Sequence, residues 1–258
     1  MSEGAVHLKV EDGIAWVRFD RPAARNAMTW AMYESLMAIC DRLQADPSVR
    51  VPALRGAGGE PFVAGPDIAQ FRDSRDGEDG VAYERRIDDC IARLASLPLP
   101  TVAVLEGWTV GGGLAIAAAC DLRIATPATR LGVPIARTLG NCLSAANVAR
   151  LVAAFGRPRV QRMLLLAELL QAQEALACGW LLEVVAPESI DAAALQLCQR
   201  VAALAPVTQG VSKQLLERLL AQQLPEADDL IRRCYGSADF REGVQAFVEK
   251  RPPVWTGR

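Results

Sequence analysis

Gly111-Gly112-Gly113 is where this sequence most directly offers chemistry. The triplet follows a β-branched run, Thr101 to Leu105, and a turn at Gly107, and it opens an alanine-rich segment that lasts to about Cys120. The pattern predicts a buried strand, a glycine-rich helix start and then a second strand at Leu122 to Ala125. Glycine leaves no Cβ between a ligand and the backbone. The first amides of a helix have no partner within it and lie at the positive end of its dipole. These features suit an anion site or an oxyanion hole. A close helix–strand contact would require the same glycines.

Composition narrows the remaining chemistry. The only histidine, His7, falls in the first predicted strand, which nearly excludes a Ser–His or Cys–His relay. The seven cysteines, scattered from Cys40 to Cys234, show no paired short spacing. They read as reduced core thiols of a cytoplasmic protein and not as a metal cage. A formal net charge of -2 and a pI near 5.6 argue for no nucleic-acid surface. With 258 residues, 51% hydrophobic and 22% charged, the chain has the makings of a globular core. Its longest apolar runs are alanine-rich and too short for a membrane span, and M-S-E-G-A-V-H has no secretory h-region.

The elements that must position the triplet can be read in order. Val6–Val10 and Ile14–Phe19 alternate around Asp12-Gly13, a tight hairpin signal. Thr29 caps a helix whose apolar positions, Met32, Leu36, Ile39 and Leu43, recur at helical spacing, and Asp46-Pro47 stops it. A short strand spans Val49 to Leu54, and a glycine-rich loop runs from Gly56 to Gly65. The polar segment from Arg72 to Gly80 reads as a mobile flap. Tyr83, Ile87, Cys90, Ile91 and Leu94 line one face of the next helix. Beyond the central stretch, helices are expected at Ser144–Ala154, Arg159–Glu168 and Glu174–Cys178, then a strand at Leu181–Val185. Helices finish the chain, broken at Pro206, Pro225 and Gly236. Alternating strands and helices followed by helices alone predict an α/β core with a helical C-terminal layer.

Five ordered segments resemble the enoyl-CoA hydratase/isomerase, or crotonase, superfamily across nearly the whole chain. They are R-P-A-A-R-N-A-M (Arg21 to Met28), P-F-V-A-G-P-D-I (Pro61 to Ile68), E-G-W-T-V-G-G-G-L (Glu106 to Leu114), A-A-C-D-L-R-I-A (Ala118 to Ala125), and S-A-D-F-R-E-G-V-Q-A-F-V-E-K-R (Ser237 to Arg251). The resemblance implies a ββα spiral core over residues 1–200 that binds acyl-CoA, and a helical C-terminal segment, 201–258, forming a trimerisation layer. It implies a trimer or a dimer of trimers, and a lyase or isomerase of acyl-CoA or enoyl-CoA thioesters. Coenzyme A would enter as part of the substrate, with no separate cofactor and no metal. Two backbone amides would hold the thioester oxygen and stabilise an enolate. The second of them falls on Gly112.

The sequence departs from the family at three positions. The first oxyanion donor falls on Pro66, which has no N–H. Either a neighbouring amide serves, or the hole has a single protein donor. The two glutamates of family hydratases fall on Ala115 and Ile135, and neither can move a proton. Substitutes are Cys142, a nucleophile or base if its pKa is lowered and otherwise a buried small residue, and Glu84. Glu84 shares a helix face with Asp88 beside the apolar stripe, facing either the acyl pocket or solvent. Asn141 could orient water, and Arg137 is either a carboxylate holder or a surface residue. For the coenzyme A moiety, Arg25, the backbone at Ala23, Ala64 and Asp67, and Lys250 match family positions, and Trp108 either lines the acyl pocket or packs in the core. Three readings follow, in this order. The first is an enolate-forming enzyme that works without the glutamates, by isomerisation, decarboxylation or unusual hydration. The second is a hydratase using remote groups and water. The third is a non-catalytic acyl-CoA-binding pseudoenzyme.

Overall fold

Asp12 and Gly13 both take positive φ, +49° and +76°, and turn the chain between β1 (Ala5–Glu11) and β2 (Ile14–Asp20), which pair antiparallel as the expected hairpin, with Glu11 opposite Ile14. The computed structural model describes residues 3–59, 61–72, 74–222 and 224–257. Thr29 Oγ1 accepts the Met32 amide and caps α1 (Trp30–Ala45), which buries Met32, Tyr33, Leu36, Ile39, Cys40 and Leu43. Next come β3 (Val51–Gly56), two residues later than expected, and α2 (Gly77–Ala95). The central stretch forms β4 (Val102–Leu105), β5 (Trp108–Val110), α3 (Gly112–Ala119) and β6 (Leu122–Ala125). The order continues with β7 (Arg130–Gly132), α4 (Ile135–Thr138), α5 (Ala145–Phe155), α6 (Arg157–Leu165), β8 (Leu169–Gln171), α7 (Ala172–Ala177) and β9 (Glu183–Val184). The helices α8 (Ile190–Ala202), α9 (Pro206–Ala221), α10 (Asp228–Tyr235) and α11 (Ala238–Glu249) follow. The expected boundary at 200/201 falls inside α8.

Among the described residues two sheets form, ordered β1-β2-β3-β4-β6-β9 and β5-β7-β8. Apart from the β1–β2 hairpin, the large sheet is parallel. Its central strands β3 and β4 are buried on both faces, as parallel strands under helices must be. Val51, Ala53, Val102, Val104 and Ile124 point to α8, where Ile190, Ala194, Leu197, Cys198 and Val201 meet them. Leu54, Ala103, Leu105 and Ala125 point to the main core under α1, α2 and α3. Asp121 pins the start of β4, accepting both the Thr101 amide (2.7 Å) and the Thr101 hydroxyl (2.8 Å). It also pairs with the buried Lys213 of α9 (2.8 Å).

The expected flap is corrected. Gly77 to Gly80 form the first turn of α2, capped by Asp76, while Asp73 lies outside the described residues. A Cβ on Gly77 would overlap the backbone of Arg232, and one on Gly80 would overlap the ring of Tyr235. These glycines let α10 lie directly on α2. Similarly, a Cβ on Gly243 would overlap the Leu139 backbone, so α11 packs on the loop after α4. Ile68, Phe71, Val81, Leu139, Ile231, Tyr235 and Phe240 join these parts in a third apolar cluster.

Candidate active site

The three glycines have three different jobs. Gly111 has φ +54° and donates its amide to Gly132 (3.0 Å), setting the chain direction into α3. A Cβ on Gly113 would overlap the Val63 carbonyl, so this glycine serves the close-packing role. Gly112 is the first residue of α3, where the i→i−4 pattern offers its amide no partner in the helix. A Cβ there would lie 2.7 Å from the Tyr33 hydroxyl oxygen and 3.8 Å from Pro66 Cδ.

Pro66 sits where the resemblance puts a donor. The Met28 amide donates to Gly65 (2.9 Å) and the Asp67 amide donates to Met28 (2.8 Å), so residues 65 and 67 face Met28. Residue 66 therefore aims its nitrogen substituent the other way, and its Cδ stands 3.7 Å from a Cβ built on Gly111. An N–H at this position would point at the Gly111–Gly112 turn, and a CH₂ group is there instead. Two neighbouring amides cannot replace it, because Asp67 donates to Met28 and Ala64 donates to Arg25 (3.1 Å).

Tyr33, which sequence reasoning placed nowhere, borders the same spot. It is 1% exposed, yet its hydroxyl has no hydrogen-bond partner among the described residues. Burial pushes its pKa well above the usual tyrosine value, with Cys90 and Glu84 adding to the rise. It follows Met32 on the buried face of an ordinary amphipathic helix, so no sequence signal marks it.

A second polar group lies beneath the C-terminal helices. Tyr235 donates to Glu84 Oε1 (2.6 Å), the Ser144 amide donates to Glu84 Oε2 (3.0 Å), and Asn141 Nδ2 donates to the Tyr235 hydroxyl (3.2 Å). Burial raises the Glu84 pKa to about 7 against the pull of these donors. Asp88 accepts from Ser144 Oγ (2.6 Å) and Asn147 Nδ2 (2.9 Å), and burial raises its pKa too. Glu84 is therefore a buried acid on the inner face of α2, which decides against a solvated one. Cys142 is corrected as a base or nucleophile: contact with the Cys234 thiol, and then burial, hold its pKa well above the usual thiol value.

The profile described as Enoyl-CoA hydratase/isomerase matches residues 9–258. The chain belongs to this family. It is 32% identical over 253 residues to a putative enoyl-CoA hydratase of Thermus thermophilus, covering 95% of this chain and 99% of the relative. Its fold superposes on methylmalonyl-CoA decarboxylase in complex with 2-nitronate-propionyl-CoA with a TM-score of 0.90, 26% identity and 98% of each chain covered. An enoyl-CoA hydratase/carnithine racemase from Magnetospirillum magneticum gives a TM-score of 0.80 at 31% identity, covering 100% of this chain and 97% of that one. Members of this family are acyl-CoA-processing enzymes, and the crotonase-type mixed α/β fold is the one observed.

Of the two positions where the resemblance implies glutamates, Ala115 is buried on α3 and Ile135 opens α4. Arg137 is exposed in the last turn of α4. On the expected coenzyme A edge, Arg25 and Ala64 meet through their backbones, Ala23 and Arg25 are exposed, and Asp67 pairs with Arg21 (2.8 Å) and caps the turn at Ala69 (3.0 Å). Asn26, fully buried with φ +57°, ties that edge together. It accepts the Arg21 amide (2.9 Å) and donates to Pro61 (2.7 Å) and Ala57 (3.0 Å). Its place in R-P-A-A-R-N-A-M was legible but its role was not. Lys250 lies at the exposed C-cap of α11, with no side-chain bond to this edge. Trp108 is 41% exposed on β5. A wide depression of about 770 Å³ over the outer face of β1 and β2, near His7, Trp16 and Asp191, shares no residue with the Gly112 site.

Proposed function

We propose that this chain decarboxylates a 2-carboxyacyl-CoA thioester, a malonyl-type substrate, through an enolate whose oxygen rests on the Gly112 amide. The carrying observation is the pair Ala115 and Ile135 beside an oxyanion-type helix start. Hydration needs a base for water and an acid for the α-carbon, and isomerisation needs a base to take an α-proton. Decarboxylation needs neither to reach the enolate. The bond from the α-carbon to the carboxylate breaks, carbon dioxide leaves, and the electron pair becomes the enolate. A proton from water then returns to the α-carbon. Apolar Ala115 and Ile135 avoid over-stabilising the ground-state carboxylate, so binding energy stays with the developing oxyanion. The close superposition on a methylmalonyl-CoA decarboxylase supports the same reading.

Hydration is the second reading, favoured by the hydratase names of the relatives and by Glu84, a buried carboxyl near neutrality. The test is to incubate the protein with crotonyl, longer 2- and 3-enoyl, malonyl-type and aryl-acyl thioesters and follow their masses. Loss of carbon dioxide from the malonyl-type members is the expected result. Water addition to the enoyl members would support hydration instead, and bound but unchanged esters would make the chain an acyl-CoA-binding pseudoenzyme. We further propose self-association as a trimer or a dimer of trimers through α9, where Val207, Val211, Leu215 and Leu219 recur every four residues and are exposed.

A further inference from the structure

We propose that the Tyr33 hydroxyl is a second donor of the oxyanion hole, standing in for the amide that Pro66 lacks. The inference rests on the reading that the Gly112 amide receives the thioester oxygen. Three observations converge on it. The first is a vacancy of function: at residue 66 the nitrogen substituent that faces Gly111 and Gly112 is a CH₂ group, and the nearby amides of Ala64 and Asp67 are engaged elsewhere. The second is a donor without a partner. A hydroxyl at 1% exposure that finds no hydrogen-bond partner among the described residues destabilises the fold, and native structures rarely retain one. A ligand oxygen would satisfy it. The third is place: the hydroxyl oxygen and the Pro66 ring both abut the point where residue 112 would carry a Cβ, at 2.7 Å and 3.8 Å.

The chemistry fits. Burial keeps the phenol protonated, so it donates a hydrogen bond and never competes as an anion with the enolate. The ring is held by Trp30, its centroid 5.8 Å away, and by the capped first turn of α1, so little reorganisation is needed as charge develops. Gly112 must lack a side chain on this account for a stated reason: a Cβ would lie 2.7 Å from the hydroxyl oxygen and crowd the donor.

The experiment uses the full-length protein with propionyl-CoA labelled with carbon-13 at the thioester carbonyl. This saturated ester has no carboxylate to lose, so the readout does not depend on turnover. Infrared difference spectra report the polarisation of the bound carbonyl in wild type, in Tyr33→Phe, and in protein with a fluorinated tyrosine at 33. Calorimetry and thermal melts run in parallel. In wild type the band should move to lower frequency on binding. In Tyr33→Phe most of that shift should be lost while the melting midpoint holds or rises, because the change removes an unsatisfied hydroxyl. The fluorinated tyrosine, a stronger donor, should move the band further. Turnover by Tyr33→Phe should fall about 100- to 1000-fold, as when a donor is removed from a related hole. An unchanged shift in Tyr33→Phe would overturn the role of Tyr33 and leave the Gly112 site standing. No binding or no shift in wild type would overturn both.

Discussion

Tyr235 and Glu84 share a 2.6 Å hydrogen bond across 151 residues of sequence, and it joins the C-terminal helices to the inner face of α2. Its partner carboxyl has a pKa raised from 4.5 to about 7, chiefly by burial. A raised folded-state pKa means that the fold binds this proton more tightly than the unfolded chain does. The stabilisation is complete below about pH 4.5 and is lost as pH climbs to about 7, and it amounts to on the order of 3 kcal/mol. Glu84→Gln should flatten the denaturation midpoint across that window. An equally sloped profile in the variant would refute the assignment.

Pro66→Ala restores an N–H that the backbone pairing on either side aims at Gly112. If Tyr33 already supplies the second donor, the gain in wild type should be small. In a Tyr33→Phe background the same change should recover about 100-fold in kcat. Equal gains in both backgrounds would show that the two donors act independently.

Gly112→Ala puts a methyl 2.7 Å from the Tyr33 oxygen, against a ring that cannot retreat through its packed neighbours. Overpacking of this kind costs about 1–3 kcal/mol. Adding Tyr33→Phe should return most of the lost stability, as read by urea midpoints. Failure of that rescue would show that the methyl is rejected by something other than the hydroxyl.

Asn26→Ala takes the side-chain donors away from the Ala57 and Pro61 carbonyls and leaves alanine at positive φ. The expected loss is about 2–4 kcal/mol, with weaker acyl-CoA binding because loop 57–65 is no longer tied to residues 21–26. A variant that melts like wild type would argue that water replaces the amide.

Much of the architecture was legible because it is encoded locally. The hairpin at Asp12-Gly13, the Thr29 cap and the apolar stripes of α1 and α2 each follow from a few neighbouring residues. The flap was misread because glycine and aspartate look alike whether they loosen a loop or admit a packed helix, and α10 decided between these. Strands β5, β7 and β8 are three residues each, too short to carry a period, and exist through pairing with distant partners.

The site divides in the same way. By itself the sequence determined the glycine helix start, the proline where an amide was expected, and the absence of acids at Ala115 and Ile135, because each is a matter of residue type at a known step along the chain. Only the tertiary structure decided that Gly113 meets the Val63 carbonyl while Gly112 meets the Tyr33 hydroxyl, that the Cys234 thiol and burial raise the pKa of Cys142, and that Glu84 is a buried acid. It alone placed an unpartnered Tyr33 hydroxyl beside Gly112. Desolvation, and hydrogen bonds made or missed, depend on which distant elements enclose a group, and local pattern does not carry that information.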